Sequence, residues 1–139
     1  KIIDACGGDV SGKTLAVLGL TFKPNTDDMR DSPSLVIVPR LIEAGATVRA
    51  FDPVGMDEAK ALIGGPVWCS DAYDAMDGAD AVAIITEWNE FRALDLSRAR
   101  ALLKQPIMVD LRNIYGPEQM RDAGFTYISI GRAAVSATA

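Results

Sequence analysis

The chain contains no histidine. That absence removes the side chain that most often acts as a general base near neutral pH, and with it the commonest metal ligand. A catalyst made from this chain alone would have to work with carboxylates, lysine, tyrosine or cysteine, and no metal site is expected. Cysteine is scarce as well: Cys6 and Cys69 stand far apart, in no zinc-binding spacing. No secretory signal precedes them, so both are expected as reduced thiols. Cys69 runs into Ser70 and Asp71 with no activating cation, and Cys6 lies in a helical tail, so neither reads as a nucleophile. No apolar run approaches the ~20 residues of a membrane span, so a soluble, cytoplasmic chain is expected. No dense basic block accompanies the formal net charge of −5, which leaves nucleic acid without an electrostatic footprint. Internal repeats and low-complexity segments are missing too.

What is present is a patterned chain of 139 residues, the length of one domain, about half hydrophobic. Thr14 to Phe22 (TLAVLGLTF) is short and almost wholly apolar, as a strand buried on both faces should be. Similar strands are expected over 46–52, 67–69, 80–86, 107–111 and 125–130. Helices are expected over 56–62, 71–76, 97–103 and 117–123. A further helix carries the stripe Leu35, Val38, Leu41 and Ile42, opens on Ser32-Pro33 as N-cap and first turn, and has Pro39 inside it. Alternation of this kind predicts an α/β fold with a doubly wound, mainly parallel sheet and helices on both faces. Residues 1–8 read as the end of a longer helix. The expected division is a helix end and linker over 1–12, a domain over 13–132, and a disordered tail over 133–139.

Ligands of such sheets bind outside the carboxyl ends of the strands. Those ends are Phe22-Lys23, Asp52-Pro53, Thr86-Glu87-Trp88 and Arg112-Asn113. The first strand is not followed by G-x-G-x-x-G, so a self-contained dinucleotide site is not expected. Instead comes a long charged loop, GLTFKPNTDDMRDSPS. Lys23 and Arg30 could meet an anion there, aided by the positive end of the following helix. The plainer reading is a solvated loop whose aspartates cap the helix and pair with the two cations, and residue chemistry alone favours it. Arg112 fits a phosphate, a ribose or a base edge as well as it fits pairing with Asp110. Trp88 reads as a cover for the sheet edge, and Asp52 as a turn former.

Four blocks in order and spacing say more: KTLAVLGLTFKPNTDDMRDSPS, AFDP, AIITEWNEFRALD and VDLRNIY. Together they resemble the C-terminal, UDP-binding domain of the UDP-glucose/GDP-mannose dehydrogenases, and the loop wording fits the UDP-glucose type best. The resemblance implies a Rossmann-like domain without the glycine turn. It implies an enzyme in which NAD binds mainly to a separate N-terminal domain, a central helix forms a homodimer, and a catalytic cysteine, lysine and aspartate lie upstream. This chain would then hold none of the catalytic residues and be inactive alone. Phe22, Lys23 and Arg112 match substrate-binding positions, and Arg30 matches an arginine that reaches the NAD. UDP-glucose is the implied substrate. A dehydrogenase for UDP-N-acetylmannosamine or GDP-mannose, or a stand-alone nucleotide-binding module, are the alternatives.

Overall fold

The structure is a computed structural model that describes residues 2–136. Six parallel strands form one sheet in the order β3-β2-β1-β4-β5-β6. They are β1 Thr14–Leu18, β2 Thr47–Phe51, β3 Val67–Trp68, β4 Ala81–Ile84, β5 Ile107–Asp110 and β6 Thr126–Ser129. The helices are α1 Ile2–Ala5, α2 Ser34–Glu43, α3 Met56–Leu62, α4 Ala72–Met76, α5 Asn89–Arg92, α6 Leu96–Leu102 and α7 Pro117–Asp122. Among the described residues no helix is long and apolar enough to cross a membrane.

Strand β1 shows why the sheet is covered on both sides. Its side chains alternate by pleat, and both sets are apolar. Leu15 and Val17 enter one core with Ile2, Cys6, Val38, Leu41 and Ala59, from α1, its following turn, α2 and α3. Ala16 and Leu18 enter the other with Ala75, Met76, Phe91, Ala99 and Met120, from α4 to α7. Burying a side chain the size of Leu15 or Leu18 stabilises the fold by roughly 1.5–3 kcal/mol. Both cysteines are buried and free, and burial raises both thiols above their ordinary range.

Several boundaries depart from the sequence reading, each for a local reason. Strand β1 stops at Leu18 because Gly19 takes φ +90, a left-handed turn that ends the ladder. The α5 turn is unforeseen, a single turn too short to show a period. Helix α2 begins at Ser34, with Pro33 at the position before it. The Ser32 hydroxyl accepts from Ser34 N at 3.3 Å, as a cap should, and donates to Leu20 O at 2.6 Å, which ties the helix start to the loop. Pro39 lies inside α2, which continues through it to Glu43. The tail expected to be disordered from Ala133 turns back, and Val135 pairs with Tyr127 in an antiparallel bridge. Residues 137–139, and Lys1 in the first helix, lie outside the described residues.

The order in which strands are added reverses between β1 and β4, the parallel pair from which the two halves of the sheet grow outward. Close approach there is set by Gly19: a Cβ would lie 2.6 Å from Thr86 Cβ and 2.7 Å from Thr86 N. Gly19→Ala combines that overlap with a left-handed backbone and should cost about 2–4 kcal/mol. Urea denaturation followed by tryptophan fluorescence measures it. A cost below about 0.5 kcal/mol, typical of an exposed position, would mean that the two strand ends are not so tightly joined.

Candidate functional site

The C-terminal edge of the sheet is organised by two buried carboxylates. Asp52, just past β2, is 1% exposed. Its Oδ2 accepts from Leu20 N (2.8 Å), Thr21 N (3.1 Å), Thr21 Oγ1 (3.1 Å) and Trp88 Nε1 (3.3 Å). Its Oδ1 accepts from Gly55 N (2.7 Å) and Val54 N (3.0 Å). One side chain thus ties together the segments that leave β1, β2 and β4. The turn role expected of Asp52 is present and is the smaller part of what it does. Trp88 is buried, and its ring nitrogen is spent on Asp52, so it covers the edge rather than offering a stacking face.

Asp110, the last residue of β5, is fully buried. Its Oδ1 accepts from Arg112 N at 3.0 Å, and its Oδ2 from Ile114 N at 2.8 Å, Tyr115 N at 3.1 Å and the Tyr127 hydroxyl at 2.6 Å. Asn113 takes φ 55, and its side chain clamps both backbone groups of Ile130 at 2.8 Å. The loop after β5 is therefore fixed from below and from the side.

Arg112 rises from this loop and does not pair with Asp110 through its guanidinium. Nε donates to Ile85 O at 2.8 Å, Nη2 donates to Phe22 O at 3.2 Å, and Glu87 Oε2 stands 3.7 Å from Nε. This joins Arg112 to the loop residue Phe22, 90 positions away in sequence. Phe22 is 42% exposed, and its amide donates to Asp28 O at 2.8 Å. The Lys23 carbonyl lies 3.1 Å from Thr21 Oγ1, whose one proton it shares with Asp52 Oδ2, while the exposed Lys23 ammonium forms no salt bridge among the described residues. Phe22, Lys23 and Arg112 thus share one stretch of the edge.

Arg30 is engaged within its own loop. Its guanidinium folds onto Asp28 in a bidentate pair, Nε to Oδ1 and Nη2 to Oδ2, both 3.0 Å. It lines an open hollow of about 700 Å³ with Asp27, Leu35, Glu58 and Leu62, toward α3. The anticipated pairing of loop acids with cations is found here, between Asp28 and Arg30. The expected help from the following helix is not: Ser34 N donates to Ser32 Oγ, Leu35 N to Ser32 O and Val36 N to Pro33 O, so the first amides of α2 are already engaged. Asp52, at the strand end where a dinucleotide fold places an acid for the ribose, spends both oxygens internally.

With this geometry in view, the chain can be set beside known proteins. The sequence profile of the UDP-glucose/GDP-mannose dehydrogenase family, UDP binding domain, matches residues 16–117. The chain belongs to this family. It is 56% identical over 132 residues to a UDP-glucose 6-dehydrogenase of Rhizobium meliloti, covering 95% of this chain and 30% of the relative. It is 47% identical to UDP-glucose 6-dehydrogenase TuaD of Bacillus subtilis, covering 94% of this chain and 29% of the relative. Among solved structures, a UDP-glucose dehydrogenase from Pyrobaculum islandicum superposes with TM-score 0.76 at 30% identity, covering 95% of this chain and 28% of that one. A UDP-D-ManNAc dehydrogenase from Pyrococcus horikoshii gives TM-score 0.74 at 29% identity, with 94% and 28% covered. The chain therefore spans about 30% of the length of the curated relatives it matches. The profile match contains Phe22, Lys23, Arg30, Asp52, Asp110 and Arg112 and ends before Tyr127 and Arg132.

The structure brings Phe22 and Arg112 together, as the sequence reading grouped them. Asp110 was considered there only as a partner for Arg112, and Tyr127 not at all. The signal that could have exposed Asp110 is an ionisable residue closing an otherwise apolar strand, IMVD.

Two measurements test this geometry. Hydrogen bonds from the Arg30 side chain and then its amide hold the Asp28 carboxyl down, from the ordinary 3.8 to about 2. A depressed carboxylate adds stability in full above its ordinary range, and loses that contribution as pH falls through about 2. Carboxyl NMR should place the Asp28 midpoint near 2 and move it up toward the ordinary range in Arg30→Ala, which keeps only the amide bond; a midpoint that ignores this change would contradict the pair. Asp52→Asn sets a carboxamide against donors on both sides and should lower stability by about 2–4 kcal/mol. Chemical denaturation reads this, and near-neutrality would mean that the six donors do not depend on the charge.

Proposed function

We propose that this chain is the nucleotide-sugar-binding C-terminal part of an NAD-dependent UDP-glucose 6-dehydrogenase, in which Arg112 binds the diphosphate. The observation that carries this reading is the guanidinium of Arg112. Two carbonyls hold it at the sheet edge, within the segment matched by the family's UDP binding domain. Its Nη1 makes no hydrogen bond among the described residues and is free to donate to a phosphoryl oxygen. Lys23 adds a second, flexible cation beside it, and Phe22 an apolar surface.

These residues bind and orient; none does proton chemistry. Holding the pyrophosphate fixes where the sugar lies, so that oxidation of its primary alcohol proceeds on groups supplied by an N-terminal NAD-binding domain. NAD supplies the hydride acceptor there. Arg30 reaches toward it by exchanging its bond to Asp28 for a phosphate. A homodimer formed through a central helix completes the enzyme, in the cytoplasm, where the two free thiols stay reduced.

The sugar is assigned to glucose because relatives with up to 56% identity carry the UDP-glucose name. A second reading, a dehydrogenase for another nucleotide sugar, draws on the UDP-D-ManNAc enzyme, whose fold matches nearly as well. Calorimetric titration with UDP, UDP-glucose, GDP-mannose and NAD separates these readings. UDP and UDP-glucose should bind, with GDP-mannose and NAD far weaker. Arg112→Ala should weaken UDP by about 1–3 kcal/mol, the range for a lost charged hydrogen bond. An unchanged UDP affinity in that variant would remove Arg112 from the site.

A further inference from the structure

The motif Asp-x-Arg occurs twice at strand-edge loops, as Asp28-Met29-Arg30 and as Asp110-Leu111-Arg112. The two begin alike. In each, the arginine amide donates to Oδ1 of the aspartate two residues earlier, at 2.9 Å and 3.0 Å. From there they diverge. The Arg30 guanidinium closes back onto its own aspartate with two bonds. The Arg112 guanidinium turns away, to Ile85 O and Phe22 O. Backbone geometry at the amide does not account for the difference, because it is shared. What differs is what else the aspartate holds.

Asp28 Oδ2 receives no donor other than Arg30 among the described residues. Asp110 Oδ2 receives three: Ile114 N, Tyr115 N and, at 2.6 Å, the Tyr127 hydroxyl. The phenol has one proton, and the Asp110 oxygen is nearer than its other acceptor, Tyr115 O at 3.0 Å. Behind the phenol stands Arg132. Its Nη2 donates to the Tyr127 oxygen at 2.8 Å and its Nε to Ser129 Oγ at 3.0 Å, and no carboxylate within 4.0 Å pairs with it among the described residues. The positive charge of Arg132 thus acts on Asp110 through the phenol. Burial and the hydrogen bond to Asp110 push the Tyr127 phenol well above its ordinary range, so it remains a donor at every physiological pH.

We infer that Tyr127, backed by Arg132, is a positioning residue for the nucleotide site: by occupying Asp110 it keeps Arg112 from folding back, and so keeps its guanidinium available to an anion. The inference rests on the assignment of Arg112 to the diphosphate. Both supporting residues lie beyond the family's matched segment, on β6 and the turn after it. Without the hydroxyl, Asp110 Oδ2 keeps the Ile114 and Tyr115 amides, and one acceptor position opens two residues from a guanidinium.

The test uses the 139-residue chain labelled with ¹⁵N, with UDP as the probe and NMR reading both the Arg112 Nε–Hε resonance and the affinity. Arg112→Lys identifies the resonance. In Tyr127→Phe, the resonance should move toward that of Arg30 before any ligand is added, and UDP should bind on the order of tenfold more weakly, one charged hydrogen bond's worth. Arg132→Ala should move both in the same direction and Arg132→Lys less. Adding Asp110→Asn to Tyr127→Phe removes the competing charge and should recover affinity, whereas a purely structural role predicts further loss. An Arg112 resonance that stays in place in Tyr127→Phe, with UDP affinity within twofold of the parent, overturns the inference even if the melting temperature falls. If the parent does not bind UDP, or Arg112→Ala binds it equally well, the diphosphate assignment fails instead. The ligand-free resonance of Tyr127→Phe still decides whether Tyr127 holds Arg112 away from Asp110.

Discussion

A carboxylate buried without water must be met by donors, and at the end of β2 that requirement shapes everything around it. Asp52 is met by six, from three separate segments of chain. The loop after β1 starts where it does because Leu20 and Thr21 give their amides to this residue. The turn into α3 is tight for the same reason: Gly55 sits so close that a Cβ would lie 2.3 Å from Thr21 Cγ2. Trp88 is drawn inward by its ring nitrogen. The charge that a dinucleotide-binding fold leaves free for a ribose is here built into the floor of the edge. Lys23 and Arg112 face outward at this edge, with Glu87 3.7 Å from Arg112 Nε.

Much of this was legible in the sequence, though not evenly. Buried strands such as TLAVL and AVAI announce themselves because both faces of a parallel sheet are covered and the run is wholly apolar. The stripe of α2 is legible by the same logic at helical period. Strand ends were placed too late because Gly19 and Asp52 end their strands through close approach and buried charge, neither of which alters hydrophobic pattern. The Ser32 cap was legible too: a serine before Pro33 has the right chemistry for a helix start, and its hydroxyl accepts from Ser34 N while donating to Leu20 O. The tail at Val135 looked unstructured because a single bridge on an edge strand leaves no period to detect.

The site divides in the same way. Cations at strand ends could be picked out as candidates, and Arg112 and Phe22 do meet. That Asp28, rather than Asp27 or Asp31, would take Arg30 could not be read from a loop with three aspartates. Phe22 N bonds Asp28 O and doubles the loop back on itself before Arg30 is reached. Asn25 and Asp31, both with left-handed backbones, provide the bends on either side.

The long loop also explains how this edge can be used at all. In a glycine-turn fold, a phosphate rests on the free amides at the start of the first helix, and backbone supplies most of the positive potential. Here that helix starts fifteen residues beyond Gly19, with Ser34, Leu35 and Val36 amides already bonded and the Ser32 and Ser34 hydroxyls both turned to Leu20 O. Backbone attraction for an anion is closed off at the place where it is usually strongest. Positive charge must then come from side chains, and side chains can be neutralised by their neighbours, as Arg30 is by Asp28. A site built on arginine therefore needs its nearby acids engaged elsewhere. Asp52 is occupied by backbone and indole donors, and Asp110 by backbone donors and a phenol. Both buried acids of the edge are thereby withheld from the guanidinium of Arg112, whose ion pair is instead the longer one to Glu87 at 3.7 Å.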